Sequence, residues 1–144
     1  MNLPEFDSLD GEDLALLEAS VPSAMTPVVK LLGLKNAVAF FRAFPGHTFS
    51  MPKHPRGAGW ARFSLIQRAV GIDAALQLAK EFGGETLFIP RLAVAIRRMR
   101  NRRIVRDFDA AIQRMSTASA ANDLAAKYQM TSRSIETIVN GKAP

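Results

Sequence analysis

Part of this chain is written twice. Residues 32–53 (LGLKNAVAFFRAFPGHTFSMPK) align without a gap on residues 70–91 (VGIDAALQLAKEFGGETLFIPR) at an offset of 38. Gly33 falls on Gly71, Ala37 on Ala75, Phe44 on Phe82, Gly46 on Gly84, Thr48 on Thr86 and Pro52 on Pro90. Leu34, Phe49, Met51 and Lys53 meet the similar Ile72, Leu87, Ile89 and Arg91. A repeat is read before local motifs, because a unit too small to bury its own apolar face needs a neighbour to do so. Each copy reads as a short helix, a glycine turn and a short strand ending on proline and a base. Beyond the second copy come two elements that occur once: an arginine-rich helix and a closely spaced helix pair.

Charge is distributed in blocks. Residues 1–20 hold six acids and no base, and residues 21–70 hold seven bases and no acid. Residues 91–106 hold seven arginines in sixteen positions, and the last 38 residues balance four bases against four acids. With a net charge of +6 and a pI near 10.3, the arginine block is an electrostatic footprint for a polyanion. The acidic N-terminus reads as a solvated tail or as a cover for those arginines. At 144 residues with 48% hydrophobic composition, the chain is long enough for one domain or two small ones. It has no cysteine, which excludes disulfides and thiolate metal sites and suits a reducing cytoplasm. Neither a signal peptide nor a bilayer-spanning run is expected.

Periodicity and turn residues predict the order of elements. Residues 1–12 are expected to fray, Asp13–Ala19 to form a short helix, and Thr26-Pro27 to cap and start a second one. Leu34–Phe44 is apolar on so many sides that it must be buried, with Phe40, Phe41 and Phe44 in the core. His47–Met51 and Glu85–Ile89 read as strands too short to stand alone. The expected pairing residues are Thr48, Phe49 and Met51 with Thr86, Leu87, Phe88 and Ile89. Between the copies, 52–60 (PKHPRGAGW) reads as an exposed loop anchored to the core by Trp60, followed by a helix from Ala61 and another over Asp73–Phe82. From Pro90 the three- and four-residue apolar steps predict a helix of about 25 residues, either continuous or broken near Asn101. Three regions result: an acidic segment at 1–20, a duplicated helix–strand region at 21–91, and a basic C-terminal region at 92–144.

Residues 120–142 (AANDLAAKYQMTSRSIETIVNGK) read as helix, three-residue turn, helix, with Thr131 as cap of the second helix. That is the logic of a helix-turn-helix, whose second helix puts its N-terminal side chains against base edges. Ser132, Arg133, Thr137 and Asn140 are the base-reading candidates; Arg133 suits guanine and Asn140 suits adenine. Arg97, Arg98, Arg102, Arg103, Arg106, Ser134 and Lys142 are the phosphate candidates.

The run EFGGETLFIPR, the basic helix after it and NDLAAKYQMTSRSIETIV resemble the Mor transcription-activator family of Mu-like phages, over roughly residues 65–140. The resemblance implies an intertwined dimer whose strand would be Glu85–Ile89. It implies a C-terminal helix-turn-helix, with Ser132–Asn140 reading an imperfect inverted repeat, and recruitment of host RNA polymerase. The chain departs from that pattern by carrying the helix–strand unit twice. The copies either close on each other within one chain, as a built-in pseudo-dimer, or join a larger homodimer.

The expected fold is therefore mainly α with a small two-stranded β-ribbon, duplicated helix–turn–strand units preceding the helix-turn-helix. The expected function is sequence-selective binding of double-stranded DNA for transcription regulation in a phage or other mobile element. The alternative is a protein-binding inhibitor or adaptor that grips its target with the duplicated scaffold; an RNA-binding protein would want an aromatic stacking surface that is lacking. His47 and His54 lack converging carboxylates, and no nucleophile set or phosphate loop is present, so no catalytic residues, metal or cofactor are expected.

Overall fold

A computed structural model describes residues 4–141, which excludes Lys142, one of the phosphate candidates, and the first three residues of the acidic segment. The described chain is mainly α-helical with one two-stranded antiparallel sheet. It divides into two compact units, one up to Ala93 and one from Val94 onward. No single helix among the described residues is long and apolar enough to cross a membrane.

The first unit opens with a 3-10 turn at Phe6–Ser8 and helix α1 (Gly11–Ser20). The Asp10 carboxylate accepts the Asp13 N–H at 2.8 Å, and the Asp13 carboxylate accepts the Asp10 N–H at 3.3 Å. This reciprocal cap satisfies two N-terminal donors and orders a stretch that composition suggested would fray.

Two helix pairs come next. Helices α2 (Thr26–Leu32) and α3 (Leu34–Ala43) break at Gly33, and α4 (Trp60–Val70) and α5 (Ile72–Phe82) break at Gly71. The two glycines share one backbone conformation, with φ/ψ of 79°/160° and 88°/167°. Their N–H groups end the preceding helix on Val29 O and Gln67 O, each at 2.8 Å. Their carbonyls start the next one on the N–H groups of Ala37 at 3.0 Å and Ala75 at 3.1 Å. That φ/ψ region is open only to glycine. Helix α2 packs on α3 and α5, and α4 packs on α3 and α5. Met25, Val28, Phe40, Phe41, Phe63, Ile66 and Leu78 form the buried centre. Phe44, expected in the core with Phe40 and Phe41, is half-buried because it lies just past the end of α3.

Each helix pair leads into a strand, β1 (Thr48–Ser50) and β2 (Thr86–Phe88). They run antiparallel with Thr48 opposite Phe88, Phe49 opposite Leu87 and Ser50 opposite Thr86. Flanking bonds carry the pairing beyond the strands, from Ile89 N to His47 O and from Met51 N to Glu85 O, both 2.9 Å. Phe49 is buried against Phe44 and Phe40, with ring centroids 4.9 and 6.2 Å away. Leu87, Met51 and Ile89 are also buried, while Thr48, Thr86 and Phe88 face out. In the loop between the copies, Trp60 does not enter the core: it begins α4, is 54% exposed and lays its ring 6.4 Å from buried Phe63.

The second unit holds α6 (Ala93–Ala111) from its second residue onward, α7 (Thr117–Tyr128) and α8 (Ser132–Val139). Helix α6 is continuous through Asn101, the first of the two alternatives left by the sequence, and spans 19 residues rather than about 25. Ser116 and Thr131 cap α7 and α8 by accepting the N–H groups of Ser119 at 3.1 Å and Ser134 at 3.0 Å. Ile104 of α6 is packed with Ala121 and Leu124 of α7 and Ile135 and Ile138 of α8 in one apolar cluster.

Gly33→Ala and Gly71→Ala should each destabilise the chain by about 1–3 kcal/mol through backbone strain. An added Cβ meets nothing within 4 Å at either position, so packing contributes nothing to the loss. Urea unfolding of the two variants checks this; a variant as stable as the parent would show that its hinge does not need the glycine conformation.

Candidate functional site

The arginines of α6 fall into two groups. Arg98 and Arg106 are exposed, whereas Arg97, Arg100, Arg102 and Arg103 are half-buried. Positions 97, 100 and 101 stand three and four residues apart, the spacing that puts side chains on one helix face. That face borders α8. Arg97, Arg100 and Asn101 line a cleft of about 330 Å³ with Met130, Thr131, Arg133, Ser134, Thr137 and Ile138. The size is at the lower end of small-ligand clefts, roughly 300–1,000 Å³. Guanidinium, hydroxyl and amide groups stand in the lining beside the apolar Met130 and Ile138, and the guanidinium groups suit an anion.

The cleft is electropositive for three reasons. The Arg100 guanidinium forks onto Asn101 Oδ1, with Nε and Nη2 donating at 3.1 and 2.8 Å. Burial lowers its pKa from the ordinary guanidinium value, and the neighbouring Arg97 charge lowers it further. Arg97 Nε is buried with no hydrogen-bond partner among the described residues. The N-terminus of α8, with its positive dipole end, lies alongside. A cation desolvated in this way gains most from a charged acceptor.

The start of α8 is held rigidly. The Thr131 hydroxyl donates to Ser134 Oγ at 2.9 Å, and the Thr137 hydroxyl donates to the Arg133 carbonyl at 2.9 Å. One turn along α6 from Ile104, Asp107 ties α6 to α7. Lys127 Nζ and the Tyr128 hydroxyl donate to Asp107 Oδ2 at 2.8 and 2.6 Å. Burial raises the Asp107 pKa, but those two bonds and the charges of Lys127 and Arg106 outweigh it and hold the carboxyl below its usual range. Burial and the Asp107 bond push Tyr128 up to about 12.

Of the residues expected at bases or phosphates, the cleft gathers Arg97, Arg133, Ser134 and Thr137. Ser132 is half-buried and Asn140 exposed, both outside the cleft lining, as are Arg98, Arg102, Arg103 and Arg106. Arg100, Asn101 and Thr131 line the cleft although the sequence reading does not single them out as site residues. The three- and four-residue steps from Arg97 are the signal for the first two. The Asp107–Tyr128 clamp spans 21 positions and has no local signature.

Tyr128 is the only tyrosine, so tyrosinate absorbance reports it alone. Its titration midpoint should lie at about 12, and Asp107→Asn should move it down toward 10. The same groups set a pH dependence of stability. The Asp107 contribution is present above the ordinary carboxylate range and lost as pH falls through its depressed pKa. The Tyr128 contribution is present below 10 and lost as pH rises toward about 12. A parent midpoint near 10 would show that the clamp does not form in solution.

No curated protein and no solved structure matches the chain. The sequence model of the Mor transcription activator family matches residues 58–142, which takes in the second copy of the helix–strand repeat and all of α6, α7 and α8 while leaving the first copy, residues 32–53, outside. With more than half of its length matched, including every residue of the cationic cleft, the chain belongs to the Mor transcription activator family.

Proposed function

We propose that the chain is a sequence-selective, double-stranded DNA-binding activator in which α7 and α8 act as a helix-turn-helix and the cleft beside α8 seats a backbone phosphate. The observation that carries this reading is the convergence of Arg97 and Arg100 of α6 on the start of α8. A helix entering the major groove presents its first turns to base edges, and phosphates then lie beside it. Arg133 is exposed at the second position of α8, where its fork can reach the O6 and N7 of a guanine. Ser132, Thr137 and Asn140 complete the base-reading set. Arg97, Arg100 and Ser134 hold the near phosphate, and Arg98, Arg102, Arg103 and Arg106 follow the backbone away from it; Lys142, outside the described residues, is a further phosphate contact.

Family membership supports promoter activation, and the resemblance to phage activators supports a phage or other mobile element as the setting and host RNA polymerase as the partner on DNA. A protein-binding adaptor is the second reading. It is favoured by the exposed apolar side chains Leu65, Ile72, Leu76 and Phe88 of the first unit.

The two arginines should separate the roles. Arg133→Ala should relax preference at one base position by about 1–3 kcal/mol while leaving nonspecific binding nearly intact. Arg97→Ala should weaken binding to every sequence and reduce the slope of log affinity against log salt by about 1. Competition binding with selected and scrambled duplexes over a salt series measures both. Equal loss of specificity in the two variants would contradict the assignment, and absence of any selected sequence would favour the adaptor.

A further inference from the structure

The two copies of the helix–strand unit meet about a two-fold axis. Exchange of each residue with the one 38 positions on must bring one residue of an antiparallel ribbon opposite its own counterpart, and Phe49 stands opposite Leu87. Bonds around that point come in matching pairs. Gly46 N donates to Ile89 O at 2.9 Å, and its counterpart Gly84 N donates to Met51 O at 2.9 Å. Ile89 N to His47 O is matched by Met51 N to Glu85 O, and His47 N to Phe44 O by Glu85 N to Phe82 O.

The side chains cross over in the same way. Arg91 lies across Gly46, where an added Cβ would come within 2.6 Å of its Nε. The counterpart Lys53 lies across Gly84, where an added Cβ would come within 2.8 Å of its Cε. Each copy thus covers the other's glycine turn with its terminal base. The helices obey the same exchange: α3 packs on α4 as α5 packs on α2.

This is the arrangement that two identical subunits make across an isologous interface. Here one chain supplies both sides. The outer face of the ribbon is Thr48, Ser50 and Thr86 with Phe88 as its single apolar side chain, so it faces water rather than another sheet. Among the described residues, one α6–α8 module stands downstream of the two scaffold copies.

We propose that the chain is its own scaffold dimer: the ribbon closes within one chain, and a single chain with a single reading helix takes an asymmetric DNA site of one recognition segment. The DNA half rests on the proposed function; the closure of the ribbon does not. A symmetric dimer reader would instead want two half-sites about 10 bp apart, or a multiple of that, with dyad symmetry.

The full chain contains no cysteine, so an introduced pair is the only thiol chemistry present. Ser50→Cys with Thr86→Cys places thiols on exposed residues directly opposite each other. Opposed antiparallel residues stand roughly 4.5–5.5 Å apart between Cα atoms, within disulfide reach. Thr48→Cys with Phe88→Cys is the same bridge at the symmetry-related position. After oxidation, both pairs should give a disulfide-linked single chain of 15.7 kDa on a non-reducing gel, and sedimentation of the parent should give the same mass across concentration. Selection from a random duplex pool should then enrich a motif without dyad symmetry, bound by one chain per duplex. Disulfide-linked two-chain species from both pairs, or enrichment of an inverted repeat by two chains, would overturn the proposal. A single-chain particle that enriches no sequence would keep the closed scaffold and remove the DNA reading with it.

Discussion

Two three-residue strands cannot hold each other in water, and the first unit exists because one side of the ribbon is roofed by aromatic rings. A cross-strand pair contributes roughly 0.2–1 kcal/mol. Burial of a side chain the size of Phe49 or Leu87 contributes roughly 1.5–3 kcal/mol. Burial therefore decides the register. Phe49 against Phe40 and Phe44 fixes which face of β1 turns inward, and a slip of one residue would bring Thr48 and Ser50 in and turn Phe49 out. The glycine breaks at Gly33 and Gly71 serve the same end, because they fold each helix pair back so that Phe40 and Leu78 reach the centre.

The second unit depends on a different kind of contact. Its apolar cluster is small and made of Ile, Leu and Ala, and Asp107 fastens α6 to α7 at one edge of it. The two bonds at Asp107 are unequal. Lys127 is 61% exposed, and an ion pair in that position adds roughly 0–1 kcal/mol. The half-buried Tyr128 hydroxyl at 2.6 Å is a charge-assisted bond worth roughly 1.5–3 kcal/mol. Tyr128 also packs against the cluster, so one side chain joins the apolar and polar parts of the α6–α7 contact. Arg97 and Arg100 stand one turn apart on α6 itself, so their mutual repulsion is built into that helix.

Much of this is legible in the chain. The repeat reveals both strands, because turn glycines, prolines and buried positions recur at one spacing, but it leaves open whether they pair within one chain or between two. Thr131 is readable as a cap because a hydroxyl followed by a polar first turn and an apolar run has one common use. Asp10 carries the same kind of signal, with an acid three residues later, yet the surrounding Pro, Asp and Gly suggest fraying; composition misleads where the spacing is informative. Asn101 has modest helix propensity, but Met99 and Ile104 on its flanks are buried and keep α6 continuous. Trp60 departs from the expected core anchor because a large aromatic ring at a helix start can lie along the surface against one buried neighbour, Phe63, without entering the core. The anion cleft is half-legible: the arginines are visible, but which of them turn toward α8 depends on helix phase. Asp107 and Tyr128 meet only through packing.

The residue on the two-fold axis has a freedom that an assembly of identical subunits lacks. In such an assembly the axial side chain faces a copy of itself, and any mutation there arrives twice. Here a phenylalanine meets a leucine, so a bulky ring and a smaller branched group share the place on the axis. Ser50 and Phe88, and Lys53 and Arg91, have drifted apart under the same licence. Each half can thus be tuned separately by evolution, and one face of the scaffold can take up a task that its twin does not share.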